Sequence, residues 1–152
     1  ENGVIAFYPY SEDVTYDGES ITFTLSPLQN GVAGTFDDDL FPCIAKSVNT
    51  DLHFYNICGG AKFTVSRDDI RTVTLKGNNG EYLAGKVKVS FDSDGLPVVE
   101  VVEGETEVIV SAPDGGTFEV GTDYYIITIP HILSKGCTIV YNDNEGVLDL
   151  FG

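Results

Sequence analysis

The chain has 152 residues, enough for one domain with its own core, and its 42% hydrophobic content is that of a globular protein. Acidic residues outnumber basic ones 24 to 8, and the resulting net charge of -16 repels phosphate backbones and anionic bilayers. No run approaches the ~18 consecutive apolar residues of a membrane helix, so nucleic acid and direct membrane insertion of this segment are both disfavoured.

The chain opens on Glu1 with no initiator methionine and no basic-then-apolar leader. This reads as the start of a domain excised or processed from a longer exported protein. Period-two alternation then dominates. Across residues 20–25, Ile21, Phe23 and Leu25 fall on one face, with Ser20, Thr22 and Thr24 on the other. Residues 41–48 are undecided between a short helical turn and an edge strand. Residues 61–65 place Ala61, Phe63 and Val65 inward, with Lys62 and Thr64 outward. Residues 86–91 repeat this with Val87, Val89 and Phe91 against Lys86, Lys88 and Ser90. Each is a half-buried strand, because successive side chains point to opposite sheet faces. Residues 124–129 are apolar on both faces apart from Thr128, and predict a central strand between covered surfaces. Shorter strands are predicted at 72–75, 98–102, 108–112, 137–141 and 147–151.

Asp17-Gly18, Asn30-Gly31, Asn79-Gly80, Asp94-Gly95 and Asp114-Gly115 punctuate these runs as turn dipeptides that supply positive φ. Short strands separated by such turns indicate a sandwich or barrel. With no repeat, linker or low-complexity tract, residues 1–152 read as a single β-sandwich domain.

The residues that carry chemistry are few. Cys43, Cys58 and Cys137 make an odd count; Cys43 and Cys58 are the one candidate pair, and the preferred reading is three small buried apolar residues. His53, between Leu52 and Phe54 in an apparent strand, and His131, after Pro130, lie in no nucleophile elbow. Three acidic stretches attract attention as weak calcium loops: Asp37-Asp38-Asp39, Asp92-Ser93-Asp94-Gly95 and Asn142-Asp143-Asn144-Glu145-Gly146. The last two lack the distal bidentate Glu and full oxygen set of an EF-hand and suffice as hairpin turns. The expectation is therefore no catalytic residue, no metal ligand and no cofactor. Tyr8, Tyr10, Tyr16, Tyr55 and Tyr82 are the candidate aromatic platforms for a glycan, although the chain has no Trp and most of these residues are expected to pack a ring in the sandwich with the hydroxyl at its rim.

Residues 52–65 read Leu-His-Phe-Tyr-Asn-Ile-Cys-Gly-Gly-Ala-Lys-Phe-Thr-Val. A Gly-Asn-Asn turn (Gly77 to Asn79), a Leu-Ala-Gly step (Leu83 to Gly85), a Gly-x-x-Tyr-Tyr strand ending at Pro130 and a Lys-Gly-hydrophobic strand from Lys135 follow. In these features the chain resembles the fimbrillin-like surface proteins of Bacteroidales-type bacteria. The resemblance implies a two-sheet antiparallel β-sandwich of transthyretin-like topology, with an immunoglobulin-like sandwich as the alternative. It implies a non-catalytic adhesion or pilus module at the outer cell surface, anchored through a segment outside this chain. Its implied partners are other subunits, joined by donation of a β-strand, or a surface ligand on a host or bacterium. Residues 146–151 are the candidate for a last strand or a detachable donor. A carbohydrate- or small-ligand-binding sandwich is the competing reading. The chain departs from the family in having one domain, no lipid-bearing N-terminal Cys, and arginines only at Arg67 and Arg71.

Overall fold

In the computed structural model, which describes residues 3–49, 51–143 and 147–148, the alternating stretches become strands from end to end. In chain order they are β1 (Val4–Tyr8), β2 (Thr15–Tyr16), β3 (Ile21–Leu25), β4 (Leu28–Val32), β5 (Thr35–Phe36), β6 (Cys43–Ser47), β7 (Tyr55–Asn56) and β8 (Gly59–Phe63). Then come β9 (Thr72–Gly77), β10 (Ala84–Phe91), β11 (Pro97–Glu105), β12 (Glu107–Ser111), β13 (Tyr124–Thr128), β14 (Cys137–Asn142) and β15 (Val147–Leu148). A single 3-10 turn, Pro113–Gly115, separates β12 from β13.

The chain is an all-β sandwich, and hydrogen bonding divides the described residues into four sheets, ordered β1-β6-β7, β11-β10-β3-β2, β15-β14-β9-β12-β4-β5 and β13-β8. Buried residues of all four meet in one hydrophobic cluster. All neighbouring pairs are antiparallel except β4 and β12, which run parallel.

Register explains how the core forms. Val87 and Val89 of β10 stand opposite Phe23 and Ile21 of β3, and opposite Val101 and Val99 of β11, so one face of that sheet is continuously apolar. In the largest sheet, Tyr141, Val73, Val110 and Gln29 form one cross-strand row, and Ile139, Leu75 and Val108 the next. Val73, Val87, Val89, Val108 and Val110 are fully buried. At about 25 cal/mol per Å² of apolar surface, each such side chain contributes roughly 1.5–3 kcal/mol.

Four of the five turn dipeptides sit in turns or in the 3-10 turn: Gly18, Gly80, Gly95 and Gly115 all take positive φ. The fifth does not. Asn30-Gly31 lies inside β4, and the connection to β5 is made at Ala33 and Gly34 instead. Gly85 (φ 114) lies beside the bulge at Lys86 and Val87, where a side chain would collide with the Glu103 carbonyl oxygen.

Several expectations need correction. Residues 43–47 form the middle strand of their sheet, neither a helical turn nor an edge, because Ile44 and Ala45 are buried on both faces. Ser20, read as lying on the face opposite Ile21, Phe23 and Leu25, is only 6% exposed and donates its N–H to Asp17 Oδ1 at 2.7 Å. Tyr124–Thr128 is deeply buried as expected but is not central, since its one ladder is with β8. On its other edge the side chain of Gln29 takes the place of a neighbouring strand, accepting the Ile127 N–H at 3.0 Å and donating to the Ile127 carbonyl at 2.7 Å.

The turn joining β2 to β3 is held by charge. Asp17 Oδ1 accepts N–H bonds from Glu19 and Ser20, and Lys88 Nζ lies 3.0 Å from its other oxygen. These donors, the backbone pair first, lower its pKa from 3.8 to about 2. A carboxylate held below its unfolded value stabilises the fold above that value, and the contribution is lost as pH falls through the folded value. The melting-temperature gap between the parent and Asp17→Asn is therefore expected to be open at pH 5 and above, and to close between about pH 4 and pH 2. An unchanged gap across that window would mean that the bonds to Asp17 do not contribute to stability.

Candidate functional site

The three thiols are free, and they are not alike. Cys58 is buried, and burial pushes its thiol up to about 12; burial also raises Cys43, which like Cys137 is only half-buried. The expectation of three buried cysteines therefore holds for Cys58 alone. A thiol with so high a pKa carries almost no thiolate near neutrality and is a poor nucleophile.

His53 is exposed and lies outside any strand, because Leu52 and Phe54 beside it are 39% and 49% exposed and offer no inward face. His131 is exposed as well, with Nδ1 3.3 Å from the Ile132 carbonyl. It lines the same cavity as Cys137, yet among the described residues no hydrogen bond joins the two.

The acidic stretches act as local braces. Asp92 Oδ1 accepts the N–H groups of Asp94 and Leu96, both at 2.9 Å, closing the hairpin between β10 and β11. Asp37 accepts the Leu40 N–H through its carbonyl. Arg67 pairs with Asp69 and reaches Asp143 at 3.3 Å, which raises Arg67 and lowers Asp69. Residues 144–146 lie outside the described residues. Among the described residues, no three His, Cys, Asp or Glu side chains come together as a metal-holding group.

The tyrosines are the largest departure from expectation. Tyr8, Tyr10, Tyr16, Tyr55 and Tyr82 are between 39% and 84% exposed, so none packs its ring into the core. Tyr10, the most exposed, stands on the rim of a cavity of about 240 Å³ at the end of β1. Phe7, Phe23, Leu25, Leu40 and Pro42 line this cavity with Asp13, Asp39, Ser11 and Ser26. Its apolar residues come from three separate stretches of chain, which is why alternation alone does not find it.

A second feature is a groove beside β14. β15 covers only Tyr141 and Asn142, so among the described residues the outer edge of β14 from Cys137 to Val140 has no neighbouring strand. Next to that edge is a cavity of about 390 Å³, lined by Gly59, Gly60 and Ala61 of β8 on one side and Cys137 and Ile139 of β14 on the other. Leu75, Leu83, Ile129 and Leu133 make its lining apolar. A further cavity of about 310 Å³ lies between residues 64–66 and Tyr141, so the groove follows β8 and β14 in the same direction. β8 and β14 share no ladder.

Residues 149–151, the far half of the sequence-predicted last strand, lie outside the described residues; Val147–Leu148 forms the observed start of it. Among the described residues, no helix is long and apolar enough to cross a membrane. The chain matches no protein-family model, no curated protein and no solved structure.

Proposed function

We propose that the chain is a non-catalytic cell-surface adhesion module of the fimbrillin-like kind, with transthyretin-like topology, that joins its partners by accepting a β-strand along β14. The observation supporting this reading is an edge of β14 that no described residue covers, with an apolar groove at its side. An unpaired edge presents a row of N–H and C=O groups, and an incoming strand satisfies them at a spacing of about 4.7–4.9 Å. Alternate side chains of that strand would enter the groove beside Cys137 and Ile139, adding apolar burial to the backbone bonds. Exposed edges are a hazard unless protected or used, and here the high negative charge keeps unrelated copies apart until a matching strand arrives.

The test removes residues 144–152 and supplies a synthetic peptide of residues 147–151. A truncated chain that stays folded and binds this peptide, with amide shifts at Cys137 to Val140, supports strand acceptance. A truncated chain that folds but ignores the peptide refutes it. Loss of folding on truncation makes the tail an ordinary structural strand and also counts against the proposal.

A further inference from the structure

We propose that the cavity at the end of β1 is a binding site for an aliphatic ammonium group carried on a short apolar stem. The cavity holds about 240 Å³, room for a chain of a few carbons, and its floor is apolar: Phe23, Leu25 and Leu40 are at most 8% exposed, and Phe7 meets Phe23 with ring centroids 5.2 Å apart. The charge at its mouth is of one sign. Asp13 and Asp39 line it, and none of the eight lysines and arginines does. Among the described residues neither carboxylate has an ion-pair partner.

The turn that carries Asp13 is fixed by N–H bonds from Asp13 and Val14 to Ser11, both at 3.3 Å. The Leu40 N–H bonded to the Asp37 carbonyl at 3.0 Å fixes the segment that carries Asp39. Tyr10, 84% exposed at the rim, offers an aromatic surface to the same cation. An apolar floor beneath two carboxylates and a tyrosine selects a ligand that is apolar along its stem and positive at its tip. A neutral sugar would match the aromatic ring but leave both charges unused. A free primary alkylamine, with its tail on the floor and its ammonium at the rim, has this chemistry.

Amide shifts of the full chain are followed at 0.15 M salt, where long-range attraction to the net charge is screened. The probes are 1-aminopentane, 1-pentanol and glucose. Saturable shifts of the amides of Phe23 to Ser26 and Leu40 with the amine, and not with the neutral pair, support the site. Asp13→Asn with Asp39→Asn is expected to weaken binding about tenfold, and Tyr10→Ala about threefold. Glu100→Gln with Glu103→Gln, which removes the same charge elsewhere, is expected to leave affinity unchanged. Equal shifts from 1-pentanol or glucose, no shift at these amides, or an equal loss in the Glu100 and Glu103 variant would overturn the proposal.

Discussion

Replacing Tyr124 with alanine is expected to lower the stability of the chain by about 3–5 kcal/mol, against the roughly 5–15 kcal/mol that a domain of this kind has to lose. Its side chain is 2% exposed and sits between two other rings, stacked on Phe63 at 5.8 Å and edge-on to Phe118 at 4.8 Å. Phe63 and Phe118 also meet edge-on at 5.3 Å, so removing the middle ring leaves a cavity bounded by two rigid groups that collapse poorly. The hydroxyl is a separate and smaller term, since it accepts the Glu119 N–H at 3.1 Å. Tyr124→Phe keeps the ring and drops that bond, for an expected cost of about 0.5–1.5 kcal/mol. Urea denaturation of the two variants at pH 7, with an unchanged dependence on denaturant, separates the contributions. Equal losses in both would mean that the hydroxyl, not the ring cluster, holds this part of the core.

The same ring explains why one strand is hard to read from sequence. Gly31 in β4 faces this cluster; a side chain there would sit 2.9 Å from the Phe118 ring and 3.5 Å from Tyr124. Its strand turns Gln29 and Gly31 inward and leaves Leu28 67% exposed, which inverts the apolar-in pattern that alternation detects. Asn30-Gly31 then has the composition of a turn while being part of a ladder. Where one face is plainly apolar, as with Ile21, Phe23 and Leu25 or Val87 and Val89, both the strand and its inward side are legible. β1 escapes for another reason: Val4 to Tyr8 has no polar residue to set a phase. The cavity and the groove are illegible for a third. Phe7, Leu25 and Leu40 become neighbours only through packing, and an uncovered edge is a property of pairing, not of any residue type.

Gln29 carries the second large effect, because a single amide there does the work of a missing strand. It is 3% exposed, and its Nε2 donates to the carbonyls of Ile127 at 2.7 Å and Ser26 at 3.2 Å while its Oε1 accepts the Ile127 N–H. Ile127 is itself 1% exposed, so no water replaces these bonds if the amide is lost. Gln29→Leu fills nearly the same space but leaves a buried N–H and a buried C=O unpaired, at about 1–3 kcal/mol each before any apolar gain. Gln29→Glu makes a sharper test. Its carboxylate still accepts the Ile127 N–H, but its other oxygen faces two carbonyls and can only donate when protonated. The folded state then favours the neutral acid and raises the variant's pKa above the ordinary value of about 4.3. A raised folded pKa gives stability that is present below the unfolded value and lost as pH rises through the folded one. The urea midpoint of Gln29→Glu is therefore expected to approach that of the parent near pH 4 and to fall well below it by pH 7. A variant that parallels the parent across that range would mean that the amide is not the hydrogen-bonding partner of β13, and that some other group satisfies Ile127.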